Sequence, residues 1–108
     1  MKYIDIHSHI HDKEFDADRN IILHHLRETD TFTITIGTHL ESSRRAVELA
    51  SKEKGIYATI GVHPTDSNET FPKDLYLELA QNKKVVAIGE CGLDYFHGGT
   101  NSEEKKRQ

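Results

Sequence analysis

Four short segments rich in apolar and β-branched residues recur along the chain at intervals of roughly 24 to 30 residues. They lie at 2–7, 32–37, 56–61 and 85–90, and each ends near a glycine or a histidine. Three segments with helical spacing of apolar residues lie between them, at about 16–28, 41–54 and 72–82. This alternation predicts the βα repeat of a parallel sheet, because parallel strands need a crossover connection that is usually a helix.

The length of the chain limits which parallel-sheet fold it can form. Polar residues at the carboxyl ends of successive strands favour a (β/α)₈ barrel over its rival, the doubly wound open sheet. Such a barrel needs roughly 250 residues, whereas the chain has 108 residues. We therefore predict an α/β fold, the N-terminal half of a TIM-like barrel with four parallel strands and three intervening helices. Residues 1–108 would form one barrel domain that is incomplete at its C-terminus, with a polar loop at 98–108. A natural half-barrel that dimerises is the alternative.

Two histidines stand two residues apart at the end of the first predicted strand. Because side chains alternate across a strand, we expect Asp5, His7 and His9 to share one face. Two imidazoles placed in this way can bind one divalent ion through bonds of about 2.0–2.1 Å, and the Asp5 carboxylate could orient one of them. Taken alone, the pair is equally consistent with an ordinary polar strand end.

The fourth predicted strand ends in Glu90, a carboxylate flanked by the glycines at 89 and 92. A buried strand should not end in an unpaired charge. A metal ion would be a suitable partner, and two carboxylate oxygens can bridge two ions about 3.5–4 Å apart. A salt-bridged or helix-capping glutamate is the alternative. We expect Cys91 to be a small buried side chain, and Asp94 to be either an acceptor behind the metal ligands or a turn residue.

His63 follows the third predicted strand, where Pro64 keeps it out of helical geometry. At a barrel mouth its imidazole could hydrogen-bond a phosphate or a metal-bound water, although a plain loop histidine fits the sequence as well. His11 is only a spare donor near the first pair. Ser42 and Ser43 are expected to cap the second helix.

Charge and cysteine content exclude some classes of function. The net charge of −4 provides no basic surface for duplex DNA, so a phosphate ester would need the positive charge of a metal ion. The chain has one cysteine and hence no internal disulfide. Its N-terminus has no long apolar run, so we expect neither a signal peptide nor a membrane span. These features predict a cytoplasmic location.

Taken together, these segments resemble the TatD family of metal-dependent deoxyribonucleases. The matching pieces are DIHSHI at 5–10, Phe15 with Asp18, GTHLESS at 37–43, GVHP at 61–64 and VVAIGECGLDY at 85–95. An HxH pair alone is shared by other amidohydrolases and by PHP-type phosphoesterases. The GVHP and AIGECGLDY pieces are much more particular to this family.

The resemblance implies a TIM-like barrel that uses two divalent ions (Mg, Mn or Zn) to hydrolyse DNA phosphodiester bonds, often at single-stranded ends. His7 and His9 would bind the first ion, and Glu90 would bridge both as a catalytic residue. His63 would lie near the substrate phosphate. The family completes its site with two further histidines and an aspartate that follow the last residue of this chain. His11 also departs from the family pattern, because it stands where the family usually has an acidic or amide residue.

Three functional hypotheses follow from these observations. The first is a two-metal deoxyribonuclease, an exonuclease in its complete form, of which these residues alone would be inactive. The second keeps the metals but changes the bond to an amide or ester, because fold and metal do not fix the substrate. The third is a non-catalytic truncated fragment. Open barrel edges and exposed apolar residues around Ala87 predict self-association in each case.

Overall fold

A computed structural model of the chain describes residues 1–68, 70–97 and 102–108. Its strands are β1 (Tyr3–Ser8), β2 (Thr31–Ile36), β3 (Ile56–Ile60) and β4 (Val85–Ile88). Its helices are α1 (Arg19–Glu28), α2 (Leu40–Lys52), α3 (Lys73–Ala80) and α4 (Ser102–Arg107). Two one-turn 3₁₀ helices cover Lys13–Phe15 and Pro64–Asp66. The predicted alternation of four strands and three intervening helices is confirmed.

The four strands form one sheet in which the strand order follows the chain, β1-β2-β3-β4. All three neighbouring pairs are parallel. A doubly wound sheet would instead reverse its strand order at a switch point. Consecutive order with all carboxyl ends at one edge is the arrangement of a barrel wall, as the sequence predicts.

The hydrophobic core lies between the sheet and its helices. Ile56, Ala58 and Ile60 of β3 are buried on the helical side. Ala46 and Ala50 of α2 are completely buried against them. Because alanine has only a methyl side chain, α2 can lie close to the sheet.

The opposite face of the sheet carries apolar side chains that are less buried than those of the core. Ile4 pairs in register with Phe32, and Ile34 pairs with Tyr57. Paired residues of parallel strands share a face, and this face is the one opposite to Ile56 and its buried neighbours. These four side chains remain half-buried or exposed. In a closed barrel, this surface would be the interior.

The outer strands β1 and β4 are open edges of the sheet. Ile6, Val86 and Ile88 are exposed there, as predicted for the surroundings of Ala87. Cys91 is exposed as well, so the prediction of a buried thiol is wrong. The reason is its position directly after an edge strand, where no neighbouring strand covers it.

Two local predictions are also wrong. The tail contains α4 in place of a continuous loop, and residues 98–101 of that tail lie outside the described part. Glutamates in the first turn and basic residues in the last turn of α4 suit the helix dipole.

The predicted serine cap of α2 is the second error. This helix is capped by His39, whose Nδ1 accepts the Ser42 N–H at 3.4 Å. Ser42 and Ser43 lie within the first turn of the helix and are buried.

Among the described residues, no helix is long and apolar enough to cross a membrane.

Candidate metal centre

A register irregularity in β1 positions the first two candidate ligands. Asp5 pairs with Thr33 and Ser8 pairs with Thr35, so three steps along β1 match two steps along β2. The bulge breaks the simple alternation on which we predicted a shared face for Asp5 and His7. The Asp5 carboxylate accepts the backbone N–H of His7 at 3.0 Å. It therefore fixes the main chain at the bulge and does not orient an imidazole.

The side chains of His7, His9 and Glu90 converge at the carboxyl edge of the sheet. The Nε2 atoms of His7 and His9 lie 3.4 and 3.8 Å from Glu90 Oε2. One potential ligand atom from each residue lies within 4.8 Å of the other two. Residues that are more than 80 positions apart in the sequence thus form one cluster, as the sequence predicts.

The ring of His9 is held with one nitrogen free. Its Nδ1 lies 3.0 Å from the carbonyl oxygen of Ile36, the last residue of β2. A carbonyl can only accept a hydrogen bond, so Nδ1 carries the proton and donates it. In the neutral ring, Nε2 then keeps its lone pair and faces Glu90, so Nε2 is able to bind a metal ion while Nδ1–H is held by an acceptor.

The ring of His63 has the opposite tautomer. Its Nδ1 accepts the backbone N–H of Thr65 at 3.1 Å, so in the neutral ring the proton resides on Nε2. That Nε2 lies 3.3 Å from Glu90 Oε1, the oxygen that is not nearest to His7 and His9. In this tautomer His63 Nε2–H can donate a hydrogen bond at the edge of the cluster, and it has no lone pair with which to bind a cation.

Close packing of β3 and β4 brings Glu90 to this edge. A Cβ atom on Gly61 would lie 2.9 Å from the carbonyl oxygen of Gly89, closer than side-chain carbons normally come. The hydroxyl of Thr59 also donates to that oxygen at 3.0 Å. Glycine at 61 thus allows the end of β4, and with it Glu90, to lie against the end of β3.

The burial of His11 was not predicted from the sequence. It is 2% exposed, with Nδ1 2.6 Å from Thr35 Oγ1 and Nε2 2.8 Å from Ser42 Oγ. Burial lowers the pKa of this imidazole from 6.5 to about 4, against the opposing effect of the Asp12 carboxylate. A neutral imidazole thus ties the loop after β1 to β2 and α2.

Two arginines hold the same loop from outside. Arg19 donates to the carbonyl oxygens of Ile10, His11 and Asp12 at 2.7, 3.2 and 2.6 Å. Arg45 donates to the carbonyl of His11 at 2.6 Å. The loop that follows the HxH pair is therefore fixed by charged hydrogen bonds, which are stronger than neutral ones.

Asp94 is a turn residue. Among the described residues, no hydrogen bond joins it to a candidate metal ligand. One of its oxygens accepts the backbone N–H groups of Phe96 and His97, both at 2.9 Å. The hydrogen bonds from His97 hold the pKa of the Asp94 carboxyl below its usual value. Of our two interpretations of Asp94, the geometry favours the turn.

Comparison with known proteins gives a family match over nearly the whole chain. The profile of the family described as TatD related DNase matches residues 4–108. An uncharacterized metal-dependent hydrolase of Methanocaldococcus jannaschii is 33% identical over 100% of this chain and 42% of its own length. A 3′-5′ ssDNA/RNA exonuclease TatD of Shigella flexneri is 34% identical over 95% of this chain and 41% of its own length. The chain thus spans about two fifths of these relatives.

A solved structure agrees with the sequence comparison. The crystal structure of YJJV, a TatD homologue from Escherichia coli, matches with a TM-score of 0.76 and 29% sequence identity. The match covers 98% of this chain and 42% of that one.

Proposed function

The chain belongs to the TatD related DNase family, and on that premise we propose that it is the N-terminal, metal-binding part of a two-metal phosphodiesterase that acts on DNA. Metal-dependent hydrolysis is the activity named for its relatives. The observation that carries the proposal is the convergence of His7, His9 and Glu90.

The spacing of these three side chains fits a divalent ion. Two ligand atoms about 2.1 Å from one tetrahedral ion are roughly 3.4 Å apart. The Nε2 atom of His7 lies 3.4 Å from Glu90 Oε2, and that of His9 lies 3.8 Å away. We therefore propose His7, His9 and Glu90 as ligands, with Glu90 also reaching a second ion. When bound, divalent ions lower the pKa of water and stabilise the charge on phosphoryl oxygens. Zinc, magnesium and manganese all accept such ligands.

The chain's own residues would position a phosphodiester beside this cluster. His63 Nε2–H points to the cluster and is close to Glu90 Oε1. We propose that it donates to a non-bridging phosphate oxygen, which orients the substrate without any contribution from the base. Its tautomer, fixed by Thr65, supports this role.

We propose that the substrate is the end of a single DNA strand and that the protein acts in the cytoplasm. The Shigella relative is named a 3′-5′ ssDNA/RNA exonuclease. The net charge of −4 argues against a site that grips duplex DNA through many phosphates. A site built around a bound cation can still accept the phosphate at one strand end.

Residues 1–108 alone are expected to be inactive. Three side chains would leave two coordination spheres incomplete, and the family resemblance implies that the general base is an aspartate outside residues 1–108. The isolated chain should therefore not cleave a 3′-labelled single-stranded oligonucleotide with magnesium, manganese or zinc. Cleavage by the purified chain that disappears in His7→Ala would contradict this expectation.

A chimera tests the proposed activity itself. The C-terminal part of the Shigella exonuclease would follow residue 108 and complete the barrel. We expect this chimera to shorten the labelled oligonucleotide and Glu90→Gln to abolish cleavage, while the exposed His24→Gln leaves it unchanged. A folded, metal-loaded chimera that leaves DNA intact but hydrolyses members of an acyl-amide panel would refute phosphodiester chemistry.

We also propose that the open edges allow the 108-residue chain to self-associate. Unpaired edge strands and exposed apolar residues both favour this. Ile88 on β4 and Ile21 on α1 are matched probes, because they are 74% and 70% exposed. In sedimentation at several protein concentrations, Ile88→Lys should favour the monomer and Ile21→Lys should not. A wild-type chain that stays monomeric at all concentrations would contradict the proposal.

A further inference from the structure

The loop that follows β4 presents three large apolar side chains to solvent. Leu93, Tyr95 and Phe96 are 65%, 50% and 89% exposed. These residues lie at the carboxyl edge of the sheet, on the same loop as Glu90. Contiguous exposed apolar side chains with polar groups at their rim are typical of a contact surface.

Hydrogen bonds shape the described part of this loop that carries Tyr95 and Phe96. The Asp94 carboxylate accepts the N–H groups of Phe96 and His97, each at 2.9 Å. The side chain of Gln108 accepts from the N–H of Asp94 at 2.9 Å and donates to its carbonyl at 2.8 Å. Hydrogen bonds within the turn and to Gln108 therefore hold the residues around Asp94 against the end of α4.

The same side chains form a groove that is continuous with the candidate metal centre. The groove has a volume of about 420 Å³. Among its lining residues are His63, Pro64, Glu90, Leu93, Tyr95 and Phe96. The same groove is thus lined by His63 and Glu90, by the two aromatic rings, and by Cys91 and Asp94.

A positive charge accompanies the rings. The Lys105 ammonium of α4 lies 4.5 Å from the centre of the Tyr95 ring. The carboxylate in this loop, Asp94, is occupied by the hydrogen bonds of the turn. Aromatic faces combined with positive charge are the features that proteins use to bind single-stranded nucleic acid.

From this juxtaposition we propose that the groove binds the unpaired base of a single-stranded DNA end by stacking on Phe96 and Tyr95. The inference rests on the proposed function and adds how the strand is recognised. The rings contact the base, Lys105 neutralises a neighbouring phosphate, and the phosphodiester next to that base lies at Glu90 and His63. Because every base has a flat face, the groove accepts single strands with little sequence preference. A duplex end keeps its bases stacked on one another and does not fit in this way.

A single tryptophan introduced at position 96 tests the proposal directly. The chain contains no tryptophan, so Phe96→Trp gives one fluorophore at the groove. At 89% exposure this substitution does not disturb the core. A thymidine tetranucleotide should quench its fluorescence saturably. A tetramer of abasic sugar-phosphates, which has the same charge, should need at least roughly tenfold higher concentration.

A matched control places the reporter elsewhere. Tyr3 is 58% exposed and lies at the start of β1, away from the groove. Tyr3→Trp should show no difference between the two tetramers. In the Phe96→Trp protein, Tyr95→Ala should weaken binding of the thymidine strand and leave that of the abasic strand unchanged.

Three results would overturn the proposal: equal quenching by both tetramers, no quenching by either, or a base-dependent response from Tyr3→Trp. The proposed function can fail separately. A chimera that cleaves DNA while the reporter shows no base preference refutes only the stacking groove. Base-dependent quenching with a chimera that cleaves no DNA refutes only the phosphodiesterase.

Discussion

Acidification should destabilise the fold through His11, whose imidazole is buried and neutral. Burial lowers the pKa of His11 to about 4 in the folded chain, whereas the unfolded chain has the ordinary value of 6.5. Above pH 6.5 both states are neutral at this residue, and its contribution to stability is complete. As the pH falls from 6.5 towards 4, only the unfolded state takes up the proton, and the free energy of unfolding decreases. Below pH 4 both states are protonated, and the effect levels off.

The size of this effect follows from the two pKa values. A tenfold difference in proton affinity is worth about 1.4 kcal/mol, so the gap between 6.5 and about 4 corresponds to roughly 3 kcal/mol. That is a large part of the typical stability of a small domain, about 5–15 kcal/mol. Urea unfolding at pH 7 and at pH 4, with a chelator present, measures the loss.

The comparison of variants isolates His11 from other titrating groups. His11→Asn keeps a polar side chain without the titration and should lose roughly 3 kcal/mol less than the wild type between the two pH values. His24→Asn, at an exposed site on α1, should behave as the wild type does. Equal pH dependence in wild type and His11→Asn would refute the reasoning.

Three further perturbations have defined outcomes. Gly61→Ala places a Cβ 2.9 Å from the Gly89 carbonyl oxygen. Urea unfolding should therefore show a decrease of about 1–3 kcal/mol in the free energy of unfolding, and calorimetry should show a weaker zinc affinity. No change in either quantity would contradict the close packing of β3 and β4. Gly55→Ala meets only a side-chain ring at 3.2 Å and should leave zinc affinity unchanged. Thr35→Val removes the hydroxyl 2.6 Å from His11 Nδ1 and should lower the free energy of unfolding by about 1–3 kcal/mol. Thr35→Ser keeps a hydroxyl and should retain most of that stability. Equal losses in the two variants would contradict the hydrogen bond.

The fold was predictable because its main signal is periodic. The recurrence of apolar strands and amphipathic helices depends only on local sequence, and it located all four strands and the three intervening helices to within a few residues. Glu90 was identifiable as a candidate site residue because a carboxylate ends an otherwise apolar strand. His7 and His9 were identifiable because the alternation of a strand brings residues two apart to one side.

Other features depend on contacts that local patterns do not contain. His11 contacts Thr35 and Ser42, which lie 24 and 31 positions away, so its burial could not be read from its neighbours in the sequence. The bulge in β1 changes the direction of the Asp5 side chain without any glycine to mark it. The exposure of Cys91 depends on which strands lie beside β4, and a strand pattern alone does not specify them.

Zinc binding to the 108-residue chain tests the central claim that three side chains from β1 and the end of β4 share one cation. Calorimetry should give one zinc site in the wild type, a loss of affinity of at least tenfold in His9→Ala and in Glu90→Gln, and no change in the exposed His24→Ala. His63→Ala should also retain the site, because its Nε2 carries a proton. If His9→Ala and Glu90→Gln bind zinc as tightly as the wild type, these residues do not form the metal centre.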